Sequence, residues 1–248
     1  MTCTIYILTP ISLMIYALIF AGGTGKRMGN NIPKQFLEVD NKPIIIHTVE
    51  KFSTHHDVDG IVVVCKEDYI LYCEKIIKKF RLGKVLSVIP GGKTGQDSIF
   101  NGLNFLNNIS NKADDNIVLI HDGVRPIVDH NLISKSIACT KKHGNSIAVS
   151  KAIETIIKID VNGKMVEAID RDFCRYAKAP QSFFLNQIYE MHIRARREGK
   201  RNIIDSATMM NMYGEQLYTV ECEPENIKIT TPNDFYTFKA LYQNSTKG

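Results

Sequence analysis

Lys26, Arg27 and Lys34 stand within and just behind a loop that has glycines at 22, 23, 25 and 29. Glycine lets the backbone approach a ligand closely and turn its N–H groups onto it. Concave runs of amides flanked by cations hold anions. The chemistry open to these residue types at this spacing is the gripping of phosphate groups. The run before the loop, Ile15 to Ala21, carries no charge and reads as a buried strand feeding a turn.

Known phosphate loops differ in spacing. A Walker loop needs glycine at position 20 and Ser or Thr after the lysine; this chain has Phe20 and Arg27 there. A dinucleotide fingerprint starting at Gly23 would put its third glycine on Met28, which breaks it. The remaining option is a nucleotidyltransferase loop, in which a glycine turn carries an arginine and then a lysine to a triphosphate.

The elements that must position these residues follow in order. Pro43 opens a helix through Phe52, with apolar positions 44, 45, 49 and 52. Strands are expected at 61–65, 85–89, 116–120 and 146–149, and helices at 67–81, 96–106 and 130–142. Regular alternation implies a parallel sheet with helices on both faces, a Rossmann-like α/β fold. On such sheets ligands bind outside the carboxyl ends of the strands. The glycine loop, the turn at Gly91-Gly92 and the segment His121-Asp122-Gly123-Val124-Arg125-Pro126 all fall at such ends. Residues 152–177 then read as a hairpin turning at Val161-Asn162-Gly163-Lys164. Basic helix 185–199, a short helix capped by Asp205, strands at 217–220 and 226–230, and a helix from Pro232 to about Leu241 close the chain.

Gly25-Lys26-Arg27-Met28-Gly29 followed by Pro33-Lys34-Gln35, together with His121 to Pro126 and Asn226-Ile227-Lys228-Ile229-Thr230, resembles the cytidylyltransferases that activate sugar-alcohol phosphates. These include the methylerythritol-phosphate enzymes of isoprenoid synthesis and the ribitol-5-phosphate enzymes of teichoic acid and capsule synthesis. The resemblance spans roughly residues 14 to 242. It implies a nucleotidyltransferase fold, CTP and a polyol phosphate as substrates, Mg²⁺ as cofactor, and a homodimer built by the 152–177 arm.

Carried over residue by residue, the resemblance makes Arg27, Lys34 and Lys228 the catalytic cations around the reacting phosphates. Ala21, Gly22, Gly23, Gly25, Gly92, Ser98 and Asp122 become the CTP-binding set, with Asp122 also near the metal. Thr155, Arg171 and Asp205 become the acceptor-binding set, the first two reaching in from a neighbouring subunit. His121 reads as structural, and Arg125 is open either to phosphate or to a nearby carboxylate.

The methylerythritol enzymes carry threonine where this chain has Ala179 and Ile204. Two missing hydroxyls suggest a different polyol phosphate, with Ser206 a replacement donor. Met14 to Ala17, Pro33 to Leu37 and Pro43 to Thr48 are more similar to the ribitol-phosphate branch. The leading expectation is therefore CDP-ribitol formation, with the methylerythritol reaction second and a non-catalytic nucleotide-binding relative as a reading of another class.

Composition agrees with a soluble enzyme: 248 residues, 44% hydrophobic, 23% charged, net charge +5. That charge is too mild to point to nucleic acid. Six cysteines lack metal-ligand spacing and read as free thiols of a cytoplasmic protein. Residues 2–25 carry no charged side chain, but Pro10 and Ser12 interrupt the stretch and no cation precedes it, so no membrane span is expected. Residues 1–13 read as an extension outside a domain of residues 14–242.

Overall fold

A computed structural model describes residues 13–21, 32–110 and 115–245. Gly22, Gly23, Gly25, Lys26 and Arg27 lie outside them, as does the 1–13 extension apart from Leu13, which packs against the core. The elements are β1 (Ile15–Ala21), β2 (Glu38–Val39), β3 (Lys42–Pro43), α1 (Ile44–Ser53), β4 (Gly60–Cys65), α2 (Ile70–Lys79), β5 (Val85–Pro90), α3 (Gly95–Ile109), β6 (Ile117–Asp122) and α4 (His130–His143). They continue as β7 (Asn145–Lys151), β8 (Ile156–Ile159), β9 (Met165–Ile169), β10 (Arg175–Phe184), α5 (Leu185–Arg197), α6 (Ser206–Met212), β11 (Thr219–Glu221) and α7 (Pro232–Ser245).

Seven strands form one sheet in the order β11-β7-β10-β6-β1-β4-β5. All pairings are parallel except those of β10, which runs antiparallel to both β6 and β7. The expected Rossmann-like sheet is therefore present. β1 shows why it is buried on both faces. Ile15, Ala17, Ile19 and Ala21 face α1, α2 and α4, whereas Tyr16 and Leu18 face α3, α5 and α6. Successive side chains alternate faces, and a parallel sheet covered on both sides needs apolar residues at every position.

A third cluster joins Val39, Ile44, Val124, Ile229 and Phe238. It fastens α7 to the loop after β6 and to the segment before Pro232. Two expectations fail here. Residues 226–230 form no strand; the Ile229 N–H donates instead to the Val124 carbonyl at 2.9 Å. The chain at Ala179-Pro180-Gln181, expected only to return from the arm, lies inside β10. The ladder to β7 is interrupted between Ala177 and Gln181, which is where a proline can sit without removing a ladder bond. The 152–177 hairpin forms its own two-stranded sheet, β8 with β9, turning at Gly163 with φ 81°.

Candidate active site

The carboxyl ends of β1 and β6 lie side by side, Phe20 opposite Asp122. Beyond them opens a cleft of about 370 Å³, walled by Ala21, Lys34, Gln35, Lys228 and the turn from Gly92 to Gly95.

Lys34 begins a 3-10 turn, Lys34–Phe36. The turn is pinned from both sides. The buried Gln35 side chain donates to the Ala21 carbonyl at 3.0 Å. The Phe36 ring lies 5.1 Å from both Tyr69 and Tyr72, stacked on the first and edge-on to the second. Lys34 Nζ donates to the Ile229 carbonyl at 2.8 Å, so the expected catalytic lysine and the Ile227-Lys228-Ile229 segment meet.

Asp122 closes β6 and is buried. One carboxylate oxygen accepts from Lys228 Nζ at 2.5 Å and the other from Arg125 Nε at 2.8 Å. Burial alone would raise its pKa, but the Lys228 and Arg125 charges outweigh burial and hold the carboxyl below the usual range. Arg125 therefore pairs with a carboxylate, and its Nη1 also donates to the Asn226 carbonyl at 2.8 Å. Asn226 donates in turn to the Ala179 carbonyl at 2.7 Å. His121 is structural, as expected: it is fully buried against Phe52, beside the Arg125 carbonyl at 3.1 Å, and burial holds its pKa near 4.

The Gly91-Gly92 turn is shaped from within. The Gly91 N–H donates to the Cys65 carbonyl at 2.7 Å. The Gly92 N–H donates to Ser98 Oγ at 3.1 Å, and that hydroxyl donates to the Thr94 carbonyl at 2.9 Å. Ser98 thus holds the turn in shape. A Cβ on Gly92 would collide with Asp97 Cβ, so only glycine fits there. Thr94 caps α3, accepting from the Asp97 N–H at 3.0 Å, and the helix N-terminus at Gly95 faces the cleft, a suitable place for anionic groups.

A second cavity of about 320 Å³ adjoins the first and shares Phe20, Gly95, Asp122 and Lys228 with it. β10 supplies Ala177, Lys178, Ala179 and Gln181; the start of α6 supplies Asp205 and Ser206. Gln181 ties these elements together, donating to Asp205 at 3.1 Å and accepting from the Ala207 N–H at 3.0 Å. Asp205 also caps α6, accepting from the Thr208 N–H at 2.8 Å. Sequence reasoning passed over Lys178 and Gln181. The available signal was two polar side chains, Lys178 and Gln181, flanking Ala179-Pro180 in the return strand.

The structure brings together Ala21, Lys34, Gly92, Asp122 and Lys228, and places Asp205 in the adjoining cavity. Thr155 and Arg171 line neither cavity. Both are exposed on the arm, where Arg171 donates to the Ile153 carbonyl at 3.2 Å.

Asp122 is the one carboxylate lining the first cleft among the described residues. Each of its oxygens holds one cation and keeps a second lone pair. That donor set fits a Mg²⁺ carried in on a triphosphate, which takes most of its ligands from phosphate and water. His55, His56 and Asp57 group elsewhere, but both His55 ring nitrogens already face partners, Ser134 Oγ and the Asp57 N–H. The five described cysteines are free thiols, and among the described residues no helix is long and apolar enough to cross a membrane.

Comparison with known proteins gives a consistent result. The family model described as IspD, 2-C-methyl-D-erythritol 4-phosphate cytidylyltransferase, matches residues 15–244. The chain is 48% identical over 230 residues to a ribitol-5-phosphate cytidylyltransferase of Vibrio parahaemolyticus, covering 92% of this chain and 95% of that protein. It is 36% identical over 229 residues to a 2-C-methyl-D-erythritol 4-phosphate cytidylyltransferase of Clostridium botulinum, covering 92% and 97%. The crystal structure of 4-diphosphocytidyl-2C-methyl-D-erythritol synthase from Anaerococcus prevotii superposes with a TM-score of 0.81 at 27% identity, covering 93% of this chain and 96% of that one.

Proposed function

The chain belongs to the IspD cytidylyltransferase family, and from that premise we propose that it transfers the cytidylyl group of CTP to D-ribitol 5-phosphate, giving CDP-ribitol and pyrophosphate. The observation that carries this reading is the meeting of two cavities at Asp122 and Lys228. CTP occupies the cleft between the end of β1 at Ala21 and the Gly91-Gly92 turn; the polyol phosphate enters from the β10 side. Ribitol 5-phosphate is preferred over methylerythritol phosphate because relatives named for the first reach 48% identity and those named for the second 36%. Ala179 and Ile204, which lack hydroxyls, weigh against methylerythritol phosphate.

In the reaction a phosphate oxygen of the acceptor bonds to the α-phosphorus of CTP, and the bond from that phosphorus to the bridging α–β oxygen breaks. Pyrophosphate leaves with that bonding pair. Protein chemistry here is positioning and neutralisation of developing charge. Lys228 presents its ammonium group where the cavities meet, Lys34 presents its own in the first cleft, and Arg27 adds a third cation. Asp122 keeps Lys228 and Arg125 in place. Asp122 would hold a Mg²⁺ carried on the triphosphate, whose charge would further neutralise the phosphates. The arm supplies Thr155 and Arg171 to the acceptor of a second subunit in a homodimer. We place the enzyme in the cytoplasm, where CTP is available, with its product serving teichoic acid or capsule synthesis.

The test is pyrophosphate release with CTP and Mg²⁺, comparing ribitol 5-phosphate, methylerythritol 4-phosphate and glycerol phosphate. Preference for ribitol 5-phosphate is expected. Preference for methylerythritol 4-phosphate would overturn the assigned acceptor, and silence with all three would overturn the transfer reaction to these polyols.

A further inference from the structure

The β10 wall of the second cavity carries a cation that no side chain of the described residues bonds or pairs in contact. Lys178 is half-buried between Ala177 and Ala179 and lines the cavity with Arg125, Gln181 and Asp205. The two carboxylates that line the cavity, Asp122 and Asp205, are committed. Asp122 holds Lys228 and Arg125, and Asp205 holds Gln181 and the Thr208 N–H. Among the described residues the Lys178 ammonium makes no hydrogen bond or ion pair. Burial and then the Arg125 charge lower its pKa, with Cys222 and Glu225 opposing. A partly dehydrated ammonium beside a guanidinium is unfavourable until an anion arrives.

A second observation points to a ligand in the same place. Ser206 is 2% exposed and lines the cavity. Its hydroxyl has no hydrogen-bond partner among the described residues, although buried hydroxyls are nearly always bonded. Ala179 and Ile204 offer this wall no side-chain hydroxyl. One unpaired cation and one unpaired hydroxyl are the complement of a molecule bearing an anionic group and alcohol groups.

We propose that Lys178 binds the phosphate of the incoming polyol phosphate and, with Ser206, makes the β10–α6 wall the determinant of acceptor choice. This rests on the cytidylyl-transfer reading. Lys178 contacts the acceptor from its own subunit, independently of anything the arm brings across. A charge-assisted hydrogen bond supports binding by roughly tenfold or more.

The experiment compares wild type, Lys178→Gln and Lys178→Arg. In pyrophosphate release, Lys178→Gln should raise the KM for ribitol 5-phosphate about tenfold or more with the KM for CTP unchanged, and Lys178→Arg should recover most of the loss. An unchanged acceptor KM, or an equal rise in both KM values, would overturn the assignment. Calorimetry then compares ribitol 5-phosphate with ribitol. Wild type should prefer the phosphate form, and Lys178→Gln should lose that preference. Should wild type release no pyrophosphate, the transfer reading fails and calorimetry alone decides Lys178: equal binding of ribitol 5-phosphate to wild type and Lys178→Gln sinks it.

Discussion

Lys34 Nζ donates to the carbonyl oxygen of Ile229 across 195 residues of chain. That bond sets the 3-10 turn behind the glycine loop against the segment that carries Lys228, so two cations from opposite ends of the sequence face one cleft. Lys34→Ala removes a positive charge at the reacting phosphates without opening the core. Turnover should fall roughly 100- to 1,000-fold, with the melting temperature nearly unchanged. Wild-type turnover in this variant would remove Lys34 from the catalytic set.

Gly92 tests the base side. Its missing Cβ leaves room for Asp97 Cβ, and its N–H is held by Ser98. Gly92→Ala must push the turn away from the start of α3. The KM for CTP should rise about tenfold, equivalent to about 1.4 kcal/mol, while the KM for the acceptor stays put. Steady-state kinetics with each substrate varied in turn will check this; a rise confined to the acceptor would contradict the division of the two cavities.

The arm can be tested by complementation. Arg171→Ala should raise the KM for the acceptor more than that for CTP. If the arm serves the neighbouring subunit, mixing Arg171→Ala with Lys34→Ala chains creates dimers with one intact site. Random pairing in a two-fold dimer should then restore about a quarter of wild-type activity. No recovery after subunit exchange would place Arg171 at its own subunit's site.

Acid should weaken the fold before the carboxylates titrate. Burial lowers the pKa values of His121 and His192 from 6.5 to about 4. Below the ordinary value the unfolded chain takes up protons that the folded chain refuses. Stability is therefore full above pH 6.5 and declines as pH falls toward 4, at about 1.4 kcal/mol per pH unit for each histidine. Urea unfolding at pH 7, 6 and 5 should show this slope, and His192→Leu should reduce it by about one proton. The same slope in wild type and variant would show that His192 titrates normally.

The parallel part of the sheet was legible because β1, β4 and β6 are largely apolar runs, and the glycines after β1 and β5 and the aspartate that closes β6 marked the strand ends at one edge. β10 was missed because Pro180 argues against a strand between two others; the broken ladder that accommodates it is a tertiary feature. Residues 226–230 alternate like a strand, yet Ile229 bonds to Val124 and Lys34 instead of a neighbouring strand. The β2–β3 hairpin did leave a signal that was passed over: Asp40 and Asn41 both take positive φ, 54° and 58°, as a two-residue hairpin turn requires. Lys178 could not be seen as unpaired from sequence, because that depends on Asp122 and Asp205 being engaged elsewhere.

Among the described residues the two cavities have only Phe20, Gly95, Asp122 and Lys228 in common. Everything else on the β10–α6 side belongs to one cavity alone. The protein is in this sense modular: the half that handles the nucleotide and the half that admits its companion can vary separately, provided those four positions stay fixed. Retargeting the enzyme to another polyol phosphate is then a matter of rewriting 177–181 and 204–206, leaving the nucleotide half untouched.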